Sequence, residues 1–148
     1  MPKAEPAGSV GRADPPRILI VKLADFGDAL LTTPALALLR DALPEARLEV
    51  LCRPAGALAF EKSGLLDAVH QLPGSLPSRV DLLRRLRGAS YDLLIYLHSL
   101  VTSRGALQHG LLALGISAPI RVGLQPPDAW RAAFLNQRVP DRGYGAWH

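Results

Sequence analysis

From Arg17 onward, short apolar runs alternate with longer stretches in which apolar residues recur at helical spacing. The runs 17–22 (RILIVK), 47–52 (RLEVLC), 66–72 (LDAVHQL), 91–97 (YDLLIYL) and 118–124 (APIRVGL) have the length and β-branched or leucine-rich character of buried strands. Between them, 27–43, 54–64, 78–88 and 99–115 read as helices. In the first of these, Leu31, Ala35, Leu38, Leu39 and Ala42 fall at helical spacing. Pro34 lacks an amide hydrogen for the carbonyl of Leu30 and is expected to kink or restart that helix. Pro44 ends it, Gly64 ends the second helix, and Ser78 and Gly88 are the expected cap and stop of the third.

Strand–helix alternation of this kind predicts right-handed crossovers and an α/β fold: a Rossmann-like parallel sheet with helices on both faces. Ligands of such sheets sit at the carboxyl ends of the strands, near the point where strand order reverses. Residues 22–28, 52–54, 72–78 and 97–104 are expected along that one edge. Residues 1–16, rich in Pro, Gly, Ala and charge and without an apolar segment, read as a disordered tail; 17–148 form the domain.

Composition narrows the picture little. The 148 residues are 49% hydrophobic and 20% charged, which suits a globular domain. The net charge of +4 fits anionic small molecules, an anionic membrane face or nucleic acid. All but three of the 17 basic residues (Lys3, Lys22, Lys62) are arginine. The single cysteine, Cys52, excludes an internal disulfide, sits in an apolar run as a small core residue, and points to a cytoplasmic home. No stretch is long and apolar enough to span a membrane. The four histidines show no ligand spacing with Cys52, so no metal site is expected.

The candidate chemistry lies at the first strand-to-helix corner. "KLADFGDA" holds one glycine, Gly27, so neither the dinucleotide fingerprint nor the P-loop is present. A helix N-terminus still attracts negative groups. Asp28, in the first helical turn, is either an N-terminal capping carboxylate or a general base at the ligand edge. Asp25 is either a loop cap or a second polar contact, and Thr32 shares a helix face with Asp28. His98, just after the fourth strand, is either a structural hydrogen-bonder or a ligand contact. Arg104 and Arg53 follow strand ends, and each either meets an acidic group or faces solvent. Arg79, Arg84, Arg85 and Arg87 form a basic helix face, either solvated or turned to anionic lipid headgroups.

The stretch "RILIVKLADFGDALLTTPALALLRDALPEARLEVLC" resembles the N-terminal signature of glycosyltransferase family 9, the bacterial lipopolysaccharide heptosyltransferases and their relatives. The likeness lies in a strand ending at Lys22, then Gly27-Asp28, a threonine-proline-alanine-leucine run, and Leu-Pro before the second strand. "YDLLIYLHSLVTSRGAL", "RVGLQ" and "AAFLNQRV" fit the family's later blocks, so the resemblance spans residues 17–148. It implies the N-terminal half of a GT-B fold: an acceptor-side domain, here cut before a donor domain that would bind the nucleotide sugar. It implies inverting sugar transfer without a metal cofactor, with Asp28 as catalytic base and Lys22, Asp25, Gly27, Thr32, Arg53, His98 and Arg104 as acceptor contacts. Ala24 and Asp25 depart from the best-known heptosyltransferases, which have small hydroxyl residues there, while leaving the resemblance to the wider family intact. The implied partners are a lipid-linked or lipopolysaccharide glycan acceptor and a nucleotide-sugar donor, at the cytoplasmic face of the inner membrane. The alternative is a non-catalytic Rossmann-like module that binds a glycan or anion. Nucleic-acid binding rests only on the sequence pI of about 9.7 and lacks interleaved aromatics.

Overall fold

The structure is a computed structural model that describes residues 14–98, 103–126 and 128–140. Its elements run β1 (Arg17–Lys22), α1 (Phe26–Ala42), β2 (Arg47–Cys52), α2 (Pro54–Lys62), β3 (Ala68–Gln71), α3 (Leu76–Gly88), β4 (Leu93–Tyr96), α4 (Ser103–Ile116), β5 (Ile120–Leu124) and β6 (Gln137–Val139). All five strand pairings are parallel, in the order β3-β2-β1-β4-β5-β6. This is a doubly wound sheet whose direction of growth reverses between β1 and β4.

Strand alternation divides the core in two. Ile18, Ile20, Leu48, Val50 and Cys52 face α1 and α2, where Leu36 and Phe60 close over them. Leu19, Val21, Leu51, Leu94 and Tyr96 face α3 and α4, where Leu82, Leu86, Leu112 and Ile116 cover them. Cys52 is fully buried, as a small core residue should be, and burial, with the charge of Glu61, pushes its thiol up to about 11.

α1 departs most from the expected picture. It begins at Phe26 and runs unbroken through Pro34. The two threonines before the proline make this possible. Thr33 Oγ1 donates to the Leu30 carbonyl at 2.7 Å, the group that Pro34 leaves without an amide partner. Thr32 Oγ1 donates to the Asp28 carbonyl at 2.8 Å. The buried face is Ala29, Thr32 and Leu36, not the expected stripe: Leu31 and Leu38 are 79% and 71% exposed. A helix apolar on most sides has no unique face that periodicity alone can choose.

Other boundaries shift for local reasons. α3 is capped by Ser75, not Ser78: the Ser75 hydroxyl accepts the Ser78 amide, and Pro77 sits inside the first turn. The left-handed residue after this helix is Ser90 (φ 55°), so Gly88 belongs to the helix itself. Gly64 does end its helix as expected, with φ 67°. Asp67 precedes β3, its carboxylate accepting the Leu48 amide and an Arg40 N–H. β6 was not expected at all; it is three exposed residues at the sheet edge.

Toward the amino end of the sheet lies a buried charge cluster that the sequence reading missed. Glu49 is 1% exposed on β2. Arg17 and Arg47 donate to its Oε1 at 2.9 and 2.7 Å, while Tyr91 and His70 reach Oε2. Burial alone would raise this carboxyl, but those four hydrogen bonds outweigh it and hold it down at about 2.

Candidate functional site

The carboxyl edge at the β1/β4 reversal gathers the candidate residues. Val21 pairs with Tyr96 and Lys22 with Cys52, so Arg53 and His98 lie just beyond the last rungs beside the β1–α1 corner. Lys22 and His98 are half-buried, and Asp25, Gly27, Asp28 and Arg53 are exposed. His98 reports on its neighbours. Burial lowers its pKa, the charges of Lys22 and Arg53 lower it further, and that of Asp28 opposes them. One neutral imidazole, two cations and one carboxylate therefore share an edge, an arrangement suited to an anionic, hydroxyl-bearing ligand.

Asp28 is the third residue of α1, where the helix dipole favours a negative charge. Among the described residues its carboxylate accepts no hydrogen bond and forms no ion pair, and its charge is felt at His98. Asp25 holds the N-cap position through its backbone carbonyl, which accepts the Ala29 amide; its side chain makes no cap bond. The structure thus removes the loop-cap role considered for Asp25.

Thr32 is placed differently from expectation. It is 8% exposed, turned into the core, with its hydroxyl spent on the Asp28 carbonyl. It steadies the backbone of Asp28 and offers no free hydroxyl at the edge. Arg104 is exposed in the first turn of α4 and lines a groove between α3 and α4, and among the described residues no contact links it to His98. Arg79 is not part of a solvated face: its Nε–H donates to the Pro73 carbonyl at 2.7 Å and closes the loop before α3. His148 and residues 99–102 lie outside the described residues.

Gly27 does not make the corner by steric need, since a Cβ there would meet nothing within 4 Å. The glycine that the corner requires is Gly56 on α2. A Cβ there would lie 2.7 Å from the Ala24 carbonyl oxygen and 3.2 Å from Ala29 Cβ. Gly56→Ala should therefore cost about 1–3 kcal/mol despite alanine's better helix propensity. Gly27→Ala should be neutral or mildly stabilising; thermal melts of both variants check the contrast.

Beneath His98 lies a residue the sequence reading passed over. His109 of α4 is 3% exposed, its ring 4.9 Å from that of His98 and edge-on to Tyr96 at 5.8 Å. Its position in the 106-109-113-116 buried stripe of α4 was the available signal. Burial, helped by the charges of His98 and Arg53, brings its pKa down to about 4 from 6.5. With the folded value below the unfolded one, the unfolded chain takes up the proton first, so stability is lost as pH falls from 6.5 toward 4. The loss should reach about 3 kcal/mol. Urea titrations across that window should show it, and His109→Phe should flatten it.

Among the described residues no three His, Cys, Asp or Glu side chains assemble as a metal-ligating group. No helix there is long and apolar enough to cross a membrane.

No protein-family model matches the sequence, and no curated protein matches it significantly. Solved structures do match. A glycosyl transferase of family 9 from Veillonella parvula superposes with a TM-score of 0.70 at 24% identity, over 90% of this chain and 39% of that one. ADP-heptose lipopolysaccharide heptosyltransferase II of E. coli gives 0.65 at 22% identity, over 84% of this chain and 35% of its own. E. coli heptosyltransferase WaaC with ADP-2-deoxy-2-fluoro heptose gives 0.64 at 19%, over 86% and 44%. The chain thus carries the Rossmann-like α/β fold found in glycosyltransferases of family 9, over less than half the length of those proteins.

Proposed function

We propose that this chain is the acceptor-side domain of an inverting glycosyltransferase of family 9. In this reading the reaction transfers a heptose-like sugar from a nucleotide-sugar donor to a lipopolysaccharide or other cell-envelope glycan, at the cytoplasmic face of the inner membrane. The observation that supports it best is the convergence of Asp28, Lys22, Arg53 and His98 at the strand-order reversal of this fold.

The chemistry follows from these groups. Lys22 and Arg53 attract an acidic acceptor and set its orientation. The Asp28 carboxylate takes the proton of the acceptor hydroxyl as that oxygen bonds to the anomeric carbon. The bond from that carbon to the diphosphate breaks on the opposite face, and the diphosphate leaves with the electron pair. His98, kept neutral by burial and by its cationic neighbours, can accept or donate a hydrogen bond to a sugar hydroxyl. Contacts to the diphosphate are assigned to a second domain, and no metal is needed in this scheme.

Turnover of ADP-heptose by a longer protein that contains this chain tests the reading. Transfer to a lipopolysaccharide acceptor is expected. A chain that binds acceptor, but whose longer form never transfers sugar, would instead be a non-catalytic glycan-binding module.

A further inference from the structure

The two helical faces of the sheet both present apolar surface to solvent, but their charges differ. α1 and α2 expose Leu31, Leu38 and Leu58 among three acidic and two basic residues. α3 and α4 carry five arginines and one acid, Asp81. Between these two lies a groove of about 380 Å³, walled by Leu76, Val80, Leu83, Leu107 and Leu111. Leu76, Leu107 and Leu111 are 74%, 66% and 61% exposed. Arg79 and Arg104 line the groove near the starts of α3 and α4, and Arg84 and Arg87 are exposed in the later turns of α3. Arg84 meets Asp81 at 3.2 Å in a wholly exposed pair that holds it only weakly.

We infer that this face is the chain's docking surface for an anionic lipid bilayer. Leucine and valine side chains standing out from helices that lie flat along a sheet can enter the acyl boundary, and arginines at either end can meet headgroup phosphates. A protein partner is the poorer match, because no aromatic side chain lines the groove to serve as an anchor. The charge asymmetry selects the face: the α1/α2 surface is as apolar, but its acids outnumber its bases, and of those two Arg40 is committed to Asp67 and the Leu65 carbonyl. α3 and α4 both start at the carboxyl edge of the sheet, so docking through them would hold that edge, with His98 beside α4, near the membrane. That places the edge within reach of a lipid-bound acceptor, although vesicle binding stands or falls separately from sugar transfer.

The test is co-sedimentation with vesicles of phosphatidylethanolamine containing a minority of phosphatidylglycerol, against vesicles of phosphatidylcholine alone. Binding to the anionic vesicles is expected, with release as salt is raised to about 0.5 M. Leu107→Gln with Leu111→Gln should weaken binding at least about tenfold. Arg84→Gln with Arg87→Gln should weaken it about 20-fold. Leu38→Gln with Leu58→Gln on the other face should leave it unchanged. The salt response needs no variant, so it stands even if one fails to fold. Absence of binding, equal binding to neutral vesicles, insensitivity to salt, or an equal loss in the Leu38/Leu58 pair would overturn the inference.

Discussion

Asp28→Asn is expected to lower the rate of sugar transfer by about 10²–10⁴-fold, the range seen when a positioned general base is removed. Folding should barely change. Asp28 is exposed and makes no side-chain hydrogen bond among the described residues, so its structural value is limited to the helix dipole, about 0.3–1 kcal/mol. The two roles open to this residue therefore predict opposite patterns. A capping carboxylate loses stability and keeps turnover; a base loses turnover and keeps stability. If the base reading holds, acceptor KM should stay within a few-fold, because Lys22 and Arg53 remain to bind the acidic group. Steady-state kinetics and a thermal melt on the same preparation separate the cases, and wild-type turnover in the variant would remove Asp28 from the mechanism.

The second large effect is on stability. Glu49→Ala should cost about 3–5 kcal/mol, because it strands Arg17, Arg47, His70 and Tyr91 around an empty acceptor position. A domain of this size should melt roughly 10 °C or more lower. The pH dependence gives a second readout. The Glu49 carboxyl sits at about 2 in the folded chain against an ordinary value of 4.5, so its contribution is complete above 4.5 and lost as pH falls toward 2. That loss is about 3 kcal/mol, and the alanine variant should lack this acid limb. An unchanged melting temperature would show that the cluster does not hold the amino end of the sheet together.

The architecture was legible because the strands are short and apolar on both faces. β1 and β2 match the expected runs residue for residue, since only a strand buried on two sides reads as RILIVK or RLEVLC. The site edge followed from the alternation alone: Lys22, Arg53 and His98 close strand ends wherever the helices lie. What stayed hidden depends on partners distant in sequence. Glu49 looks like one polar residue in an apolar strand until β1, β3 and the approach to β4 bring three distant donors to it, beside Arg47 on its own strand. Gly56 looks like a poor helix residue until the Ala24 carbonyl is seen against it. The outward turn of Leu31 and Leu38 was unreadable because α1 is apolar nearly all round. Pro34 misled for a local reason, the Thr33 hydroxyl supplying the bond that proline cannot.

The convergence of Lys22, Asp28, Arg53 and His98 into an acceptor site is tested most directly on the chain itself. Uniformly ¹⁵N-labelled protein would be titrated with an acidic oligosaccharide released from lipopolysaccharide, and amide shifts followed. Shifts are expected at Lys22–Ala29, at Cys52–Ala55 and at His98, with His98→Ala weakening the affinity. Shifts confined to the apolar surface between α1 and α2, or no shifts at any concentration of acceptor, would contradict the site.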